Sequence, residues 1–131
     1  MMTNTSPAIT TCLMFSGKAE EAINFYTSLF DDGVVTSIFH HNDGTVMFAT
    51  YTLKGQMFMA MDNANRDEHP FTPAMSLFVS CDSEEEIERV FQKLSEDGTV
   101  LMPLTSYPFS KKFAWVEDKY GVSWQLNLAA N

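Results

Sequence analysis

Several kinds of chemistry are short of residues in this chain. The two cysteines, Cys12 and Cys81, form no C-x-x-C pair, which excludes a disulfide framework and a zinc knuckle and leaves reduced thiols as the expectation. Basic residues number 8 against 17 acidic ones, a formal charge of −9 that repels phosphate backbones, so no nucleic-acid partner is expected. No apolar run approaches the roughly 18–20 residues of a membrane helix, and residues 1–18 lack a basic segment followed by an apolar one, so neither a membrane partner nor export is expected and the reading is cytoplasmic. The six glycines fall singly at turns, which provides no glycine-rich loop for a nucleotide. There is no G-x-S-x-G, and neither cysteine has a histidine at a supporting spacing. Of the three histidines, His40 and His41 are consecutive on a strand end and point to opposite faces, while His69 lies in a loop-like stretch, so they do not converge on a metal.

What is present is an ordinary globular composition, 45% hydrophobic and 19% charged, in 131 residues. That length predicts a single domain able to bury roughly two thirds of its unfolded surface. Within it the chain repeats itself. Residues 11–54 laid over 76–119 match Glu20-Glu21 with Glu85-Glu86, Asp32-Gly33 with Asp97-Gly98, Phe48-Ala49 with Phe113-Ala114 and Lys54 with Lys119. After one residue of slip, Gly55 falls on Gly121 and Phe58 on Trp124. Two copies are too few for a stacked solenoid and favour a closed pair, with a ligand expected where they meet.

Each copy reads as β-α-β-β-β. Residues 9–15 predict a strand, 18–30 a helix with Ala22, Ile23, Tyr26, Leu29 and Phe30 at helical spacing, and 34–40, 45–53 and 56–62 three further strands separated by turns at Asn42-Asp43-Gly44 and Lys54-Gly55. Residues 63–73, with two prolines and two asparagines, predict a linker. The second copy opens with a strand over 75–80, then a helix over 84–95 that begins with a Ser83/Glu86 capping box and buries Ile87, Val90, Phe91 and Leu94. A strand over 99–104, a loop over 105–110 and strands over 113–117 and 122–128 complete it. The expected class is α+β: two tandem βαβββ modules, about 8–62 and 74–129, whose curved mixed sheets form a cup with helices on the outer faces.

Side chains alternate along a strand, so each strand gives one parity to its helix and the other to the cup. In the last strand Val122, Trp124, Leu126 and Leu128 belong to the helix side, and Ser123, Gln125 and Asn127 to the cup. The matching first-module residues are Met57, Met59 and Met61, an adaptable apolar wall. The loop around Tyr107, Phe109, Lys111 and Lys112 sets aromatic rings beside two cations and is expected to close over an anionic ligand.

The segments Ala19-Glu20-Glu21-Ala22-Ile23-Asn24-Phe25-Tyr26 and Phe113-Ala114-Trp115-Val116-Glu117-Asp118-Lys119-Tyr120-Gly121-Val122-Ser123-Trp124-Gln125 resemble the PhnB-like branch of the vicinal oxygen chelate superfamily. That superfamily includes glyoxalase I, extradiol dioxygenases, and the bleomycin and fosfomycin resistance proteins. The resemblance implies a homodimer, and it implies a metal site at Thr11, Met59, Ser76 and Gln125. Those residue types do not suit zinc, nickel, iron or manganese, so no metal and no cofactor are expected. The branch also carries a methyltransferase label, disfavoured here for want of a nucleotide loop. The expectation is therefore a metal-free protein that binds or sequesters a small apolar or aromatic molecule through Thr11, Ser76, Ser123, Gln125, Asn127, the three methionines, Tyr107, Lys111 and Lys112. The alternatives are an enzyme with an absent or unusual metal, and a dimerisation module without a cavity.

Overall fold

A computed structural model describes residues 8–63 and 69–130, so the middle of the expected linker, 64–68, lies outside the described residues. The chain divides into two compact units between His69 and Pro70. Module 1 runs β1 (Thr11–Phe15), α1 (Ala19–Ser28), β2 (Val34–His40), β3 (Val46–Leu53) and β4 (Gln56–Asp62). Module 2 repeats the order as β5 (Ser76–Ser80), α2 (Glu84–Ser95), β6 (Thr99–Tyr107), β7 (Ser110–Glu117) and β8 (Ser123–Leu128). Each module holds a four-stranded mixed sheet, ordered β1-β4-β3-β2 in one and β5-β8-β7-β6 in the other. In each, the first and last strands of the module pair in parallel and the remaining pairs are antiparallel. The predicted α+β class and the two βαβββ modules are what the structure contains.

Each helix packs on one face of its own sheet. Ala22, Ile23 and Tyr26 of α1 are fully buried, as are Ala49 and Tyr51 of β3 and Ala60 of β4. In module 2 the same layer is built from Ile87, Val90 and Leu94 of α2 against Ala114, Val116, Trp124 and Leu126. The predicted stripe on α2 included Phe91, which is only partly buried at the edge of the helix face. The Ser83 hydroxyl accepts from the backbone N–H of Glu86, and Glu86 Oε1 reaches back to the N–H of Asp82 rather than of Ser83. The predicted capping box thus forms with its return bond one residue early.

The repeated Asp-Gly pairs follow the helix ends, and glycine is required in both for a steric reason. A Cβ on Gly33 would lie 2.2 Å from the carbonyl oxygen of Thr27, and one on Gly98 would lie 2.3 Å from that of Glu117. The space, not the backbone angle, demands glycine at both.

Two expectations need correction. The predicted loop over 105–110 is strand almost throughout: β6 continues to Tyr107 and β7 begins at Ser110, so only Pro108 and Phe109 turn. β6 tolerates its proline as an edge strand with several register shifts, which masks the alternation that marks a strand in sequence. The second correction concerns β1. Its register sets Thr11 beside Phe58, Leu13 beside Ala60 and Phe15 beside Asp62. Leu13 and Phe15 are buried under the helix layer, so Thr11 shares their face and not that of Met59.

Candidate ligand-binding face

Away from α2, the sheet of module 2 presents Ser76 and Phe78 from β5, Ser123, Gln125 and Asn127 from β8, and Phe113 and Trp115 from β7. The register fixes this set: Phe78 and Trp115 flank Gln125, Phe113 lies beside Asn127, and Ser76 beside Ser123. The β6–β7 register slips by one residue between Ser110 and Phe113, so alternation assigns Lys111 to neither face; the residue is exposed. The β6–β7 hairpin completes an aromatic cluster around Phe113. Its ring meets Phe109 edge-on at 5.0 Å and Tyr107 edge-on at 5.8 Å, with Phe78 at 6.4 Å. Tyr107 and Phe109 also stack at 5.6 Å. Phe113 is buried at the centre, whereas Phe78 and Phe109 are 58% and 65% exposed, leaving open aromatic surface on either side of it.

The polar groups divide into those already satisfied and those left over. Ser123 is buried; its hydroxyl oxygen accepts from the Trp115 indole N–H at 2.8 Å and pairs with the Ser76 hydroxyl at 2.7 Å. Both serines are therefore occupied in orienting Trp115. The Tyr107 hydroxyl donates to the Pro103 carbonyl. The Lys112 ammonium is held by Glu88 and Glu84 of α2, an arrangement that raises its pKa through the Glu88 hydrogen bond. Lys112 lies beside Leu128 on the helix side, so the expectation that it closes over a ligand is corrected. Gln125 and Asn127 are partly exposed, and their side-chain amides make no hydrogen bond among the described residues. Two free carboxamides therefore stand beside aromatic rings, Gln125 between Phe78 and Trp115 and Asn127 next to Phe113.

The other signature residues of the β7–β8 segment serve the fold. Buried Asp118 accepts from the backbone N–H of Tyr120 and Val122 with Oδ1 and from the Trp124 indole with Oδ2. Asp62 serves the fold of module 1 at a different place: its Oδ1 accepts from the N–H of Gly17 and Ala19 at the start of α1 and its Oδ2 from that of Val46. Each buried carboxylate is satisfied by three donors, which removes the need for a cation.

The open face of module 1 is different in kind. Met57, Met59 and Met61 share it, with Phe58 and Ala60 turned to the helix side beside Tyr51 and Ala49. By register the counterpart of Ser76 is Thr10, opposite Met57, and not Thr11. Its hydroxyl is buried without a hydrogen-bond partner, since a thioether stands where module 2 has Ser123.

The PhnB-like resemblance is confirmed by comparison. The family described as 3-demethylubiquinone-9 3-methyltransferase matches residues 7–127. The chain belongs to this family. It is similar to a PhnB protein from Bacillus cereus, with 60% identity and a TM-score of 0.88 over 94% of this chain and 100% of that one. Protein PA1353 from Pseudomonas aeruginosa is 26% identical with a TM-score of 0.83, covering 96% and 100% of the two chains. A glyoxylase/bleomycin resistance protein/dioxygenase domain from Frankia sp. EAN1pec shares the fold at 16% identity and a TM-score of 0.71, covering 97% and 100%. No curated protein matches the chain.

Neither group that these relationships imply fits the residues present. For a divalent metal, the donor set is a threonine on the helix side, a thioether, a serine already bonded to Ser123, and one amide, while no three His, Cys, Asp or Glu gather among the described residues. For a nucleotide methyl donor, the strand-to-helix loops are the usual seat. The one before α1 is filled by the Asp62 carboxylate and the one before α2 by Ser83 and Glu86. No methyl-transfer step follows from these residues. A catalytic cysteine is also disfavoured: desolvation pushes the Cys12 thiol above its ordinary value, which lowers its thiolate fraction.

His40, at the end of β2, bonds Glu20 of α1 at 2.8 Å and ties helix to sheet. Phe78, Phe113 and Trp115 were not singled out as site residues in the sequence. The alternation Ser76, Phe78, Ser80 carried the signal for the first of them, because β5 is read by the same parity as β8.

Proposed function

We propose that this protein binds a small planar aromatic molecule bearing an acidic or hydrogen-bonding group, on the open face of module 2 and without a divalent metal. The observation that carries the reading is the pair of unpaired carboxamides, Gln125 and Asn127, set between Phe78, Phe113 and Trp115. An apolar surface with a few convergent polar groups is the usual composition of a ligand site. The rings offer stacking surface, the amides fix orientation, and exposed Lys111, next to the β6–β7 turn that carries Phe109, favours negative charge nearby. Ser76 and Ser123 act behind this surface by fixing the indole of Trp115, and Tyr107 acts through its ring.

Trp115 is partly exposed while Trp124 is buried, so quenching of tryptophan fluorescence reports on this face. Titration with a naphthalene carboxylate is expected to quench saturably at one site per chain, unchanged by a chelator. Gln125→Ala and Phe78→Ala are each expected to weaken binding by about tenfold. Non-saturable quenching, or affinity indifferent to both substitutions, would overturn the proposal.

A homodimer is the proposed assembly. Exposed Met75, Val100 and Leu101 support it as large apolar side chains on one module. Light scattering is expected to give twice the chain mass.

A further inference from the structure

Five sulfur-bearing side chains collect on one face of two paired strands of module 1. Cys12 and Met14 alternate along β1, and Met57, Met59 and Met61 along β4; the parallel register sets Cys12 beside Met59 and Met14 beside Met61. We propose that this face binds a soft monovalent metal ion, Cu(I) or its analogue Ag(I), through the Cys12 thiolate and the thioethers of Met59, Met14 and Met61.

Methionine often serves as core filler, and filler is buried. Here Cys12 is exposed, Met14 is 38% exposed, and Met57, Met59 and Met61 are all partly exposed. Thiolate and thioether donors select Cu(I), whereas oxygen and imidazole sites take harder ions. The spacing is suitable too. Neighbouring strands lie about 4.8 Å apart, close to twice a metal–sulfur bond of about 2.3 Å, a spacing that suits flexible side chains from β1 and β4 sharing one ion. Cys12 is free of any disulfide. On binding, its S–H bond breaks, a sulfur–metal bond forms, the proton passes to water, and the metal stays monovalent; desolvation raises the pKa of this thiol, so the metal displaces the proton rather than meeting a preformed thiolate. The formal charge of −9 favours accumulation of a cation. Module 2 supplies an internal control, since its matching positions are Phe78, Ser80, Ser123, Gln125 and Asn127, without a sulfur among them.

The test is anaerobic competition for Cu(I) against a coloured Cu(I) chelator, with Ag(I) titration calorimetry in parallel, on the full chain. One ion per chain is expected, with no uptake of Zn(II). Loss of even an outer-shell partner of a metal costs about 10–100-fold in affinity, so Met59→Leu, Met61→Leu and Cys12→Ser are each expected to weaken binding by more than about tenfold. Leucine keeps methionine's size, and unchanged thermal melts of the leucine variants separate lost ligation from lost folding. Failure to withdraw Cu(I) from the chelator overturns the proposal. So does affinity unchanged in both leucine variants, which would mark a cysteine acting alone, or binding lost in Cys81→Ser but kept in Cys12→Ser. None of these outcomes bears on naphthalene carboxylate binding by module 2.

Discussion

The two modules share their order of elements, their sheet topology and their helix-side core, and part company on the face turned from the helix. Module 1 lines it with thioethers and a thiol, module 2 with aromatic rings, hydroxyls and amides. The difference teaches that the repeat constrains one parity of each strand and leaves the other free. Helix-side positions must fill a fixed space between sheet and helix, while open-face positions have no such partner within the module. Chemistry diverges where packing does not hold it.

The comparison is broken most severely by removing the buried carboxylates. Asp62→Ala and Asp118→Ala each strand three donors and are expected to destabilise by roughly 4 kcal/mol in urea denaturation. Hydrogen exchange should place the loosening in module 1 for the first and in module 2 for the second. Gly33→Ala and Gly98→Ala drive a Cβ into backbone oxygen in both modules, and a cost of about 3 kcal/mol is expected from each; a much smaller cost for one would break the equivalence of the helix ends. Ser123→Ala frees the Trp115 indole and is expected to cost about 1 kcal/mol and to alter tryptophan emission, whereas Thr10→Val, removing an already unpartnered hydroxyl, is expected to be neutral or stabilising.

The smallest effect is expected for Lys112→Met. The raised pKa of Lys112 means that its pairing with Glu88 and Glu84 contributes below the ordinary lysine value of 10.5 and is lost as pH rises through the raised one. Any difference in thermal melt between wild type and variant should therefore be level across neutral pH and vanish in strong alkali.

Much of the fold was legible because its signals are local. The helix stripes, the Ser83 cap, the Asp-Gly stops and the alternation of β8 each follow from a few neighbouring residues. Failure came where register across strands decides the answer. A constant offset set Thr11 on Ser76, but the slip placed after Lys54 is already present at β1, and one residue is enough to turn a side chain to the opposite face. Lys111 and Lys112 look alike in sequence, and only the acids on α2, distant along the chain, separate them. The aromatic cluster stayed hidden because its rings come from β5, β6, β7 and the turn between the last two.

The helix caps carry a consequence for the order in which the chain assembles during synthesis. Ser83 closes α2 with a residue that precedes it, and Asp118 closes its own turn within six positions. Asp62 instead lies 45 positions after Gly17 and 43 after Ala19, the donors it accepts from. The first helix to leave the ribosome therefore waits for the end of its module before its opening turn is fastened, while the second is fastened as it emerges.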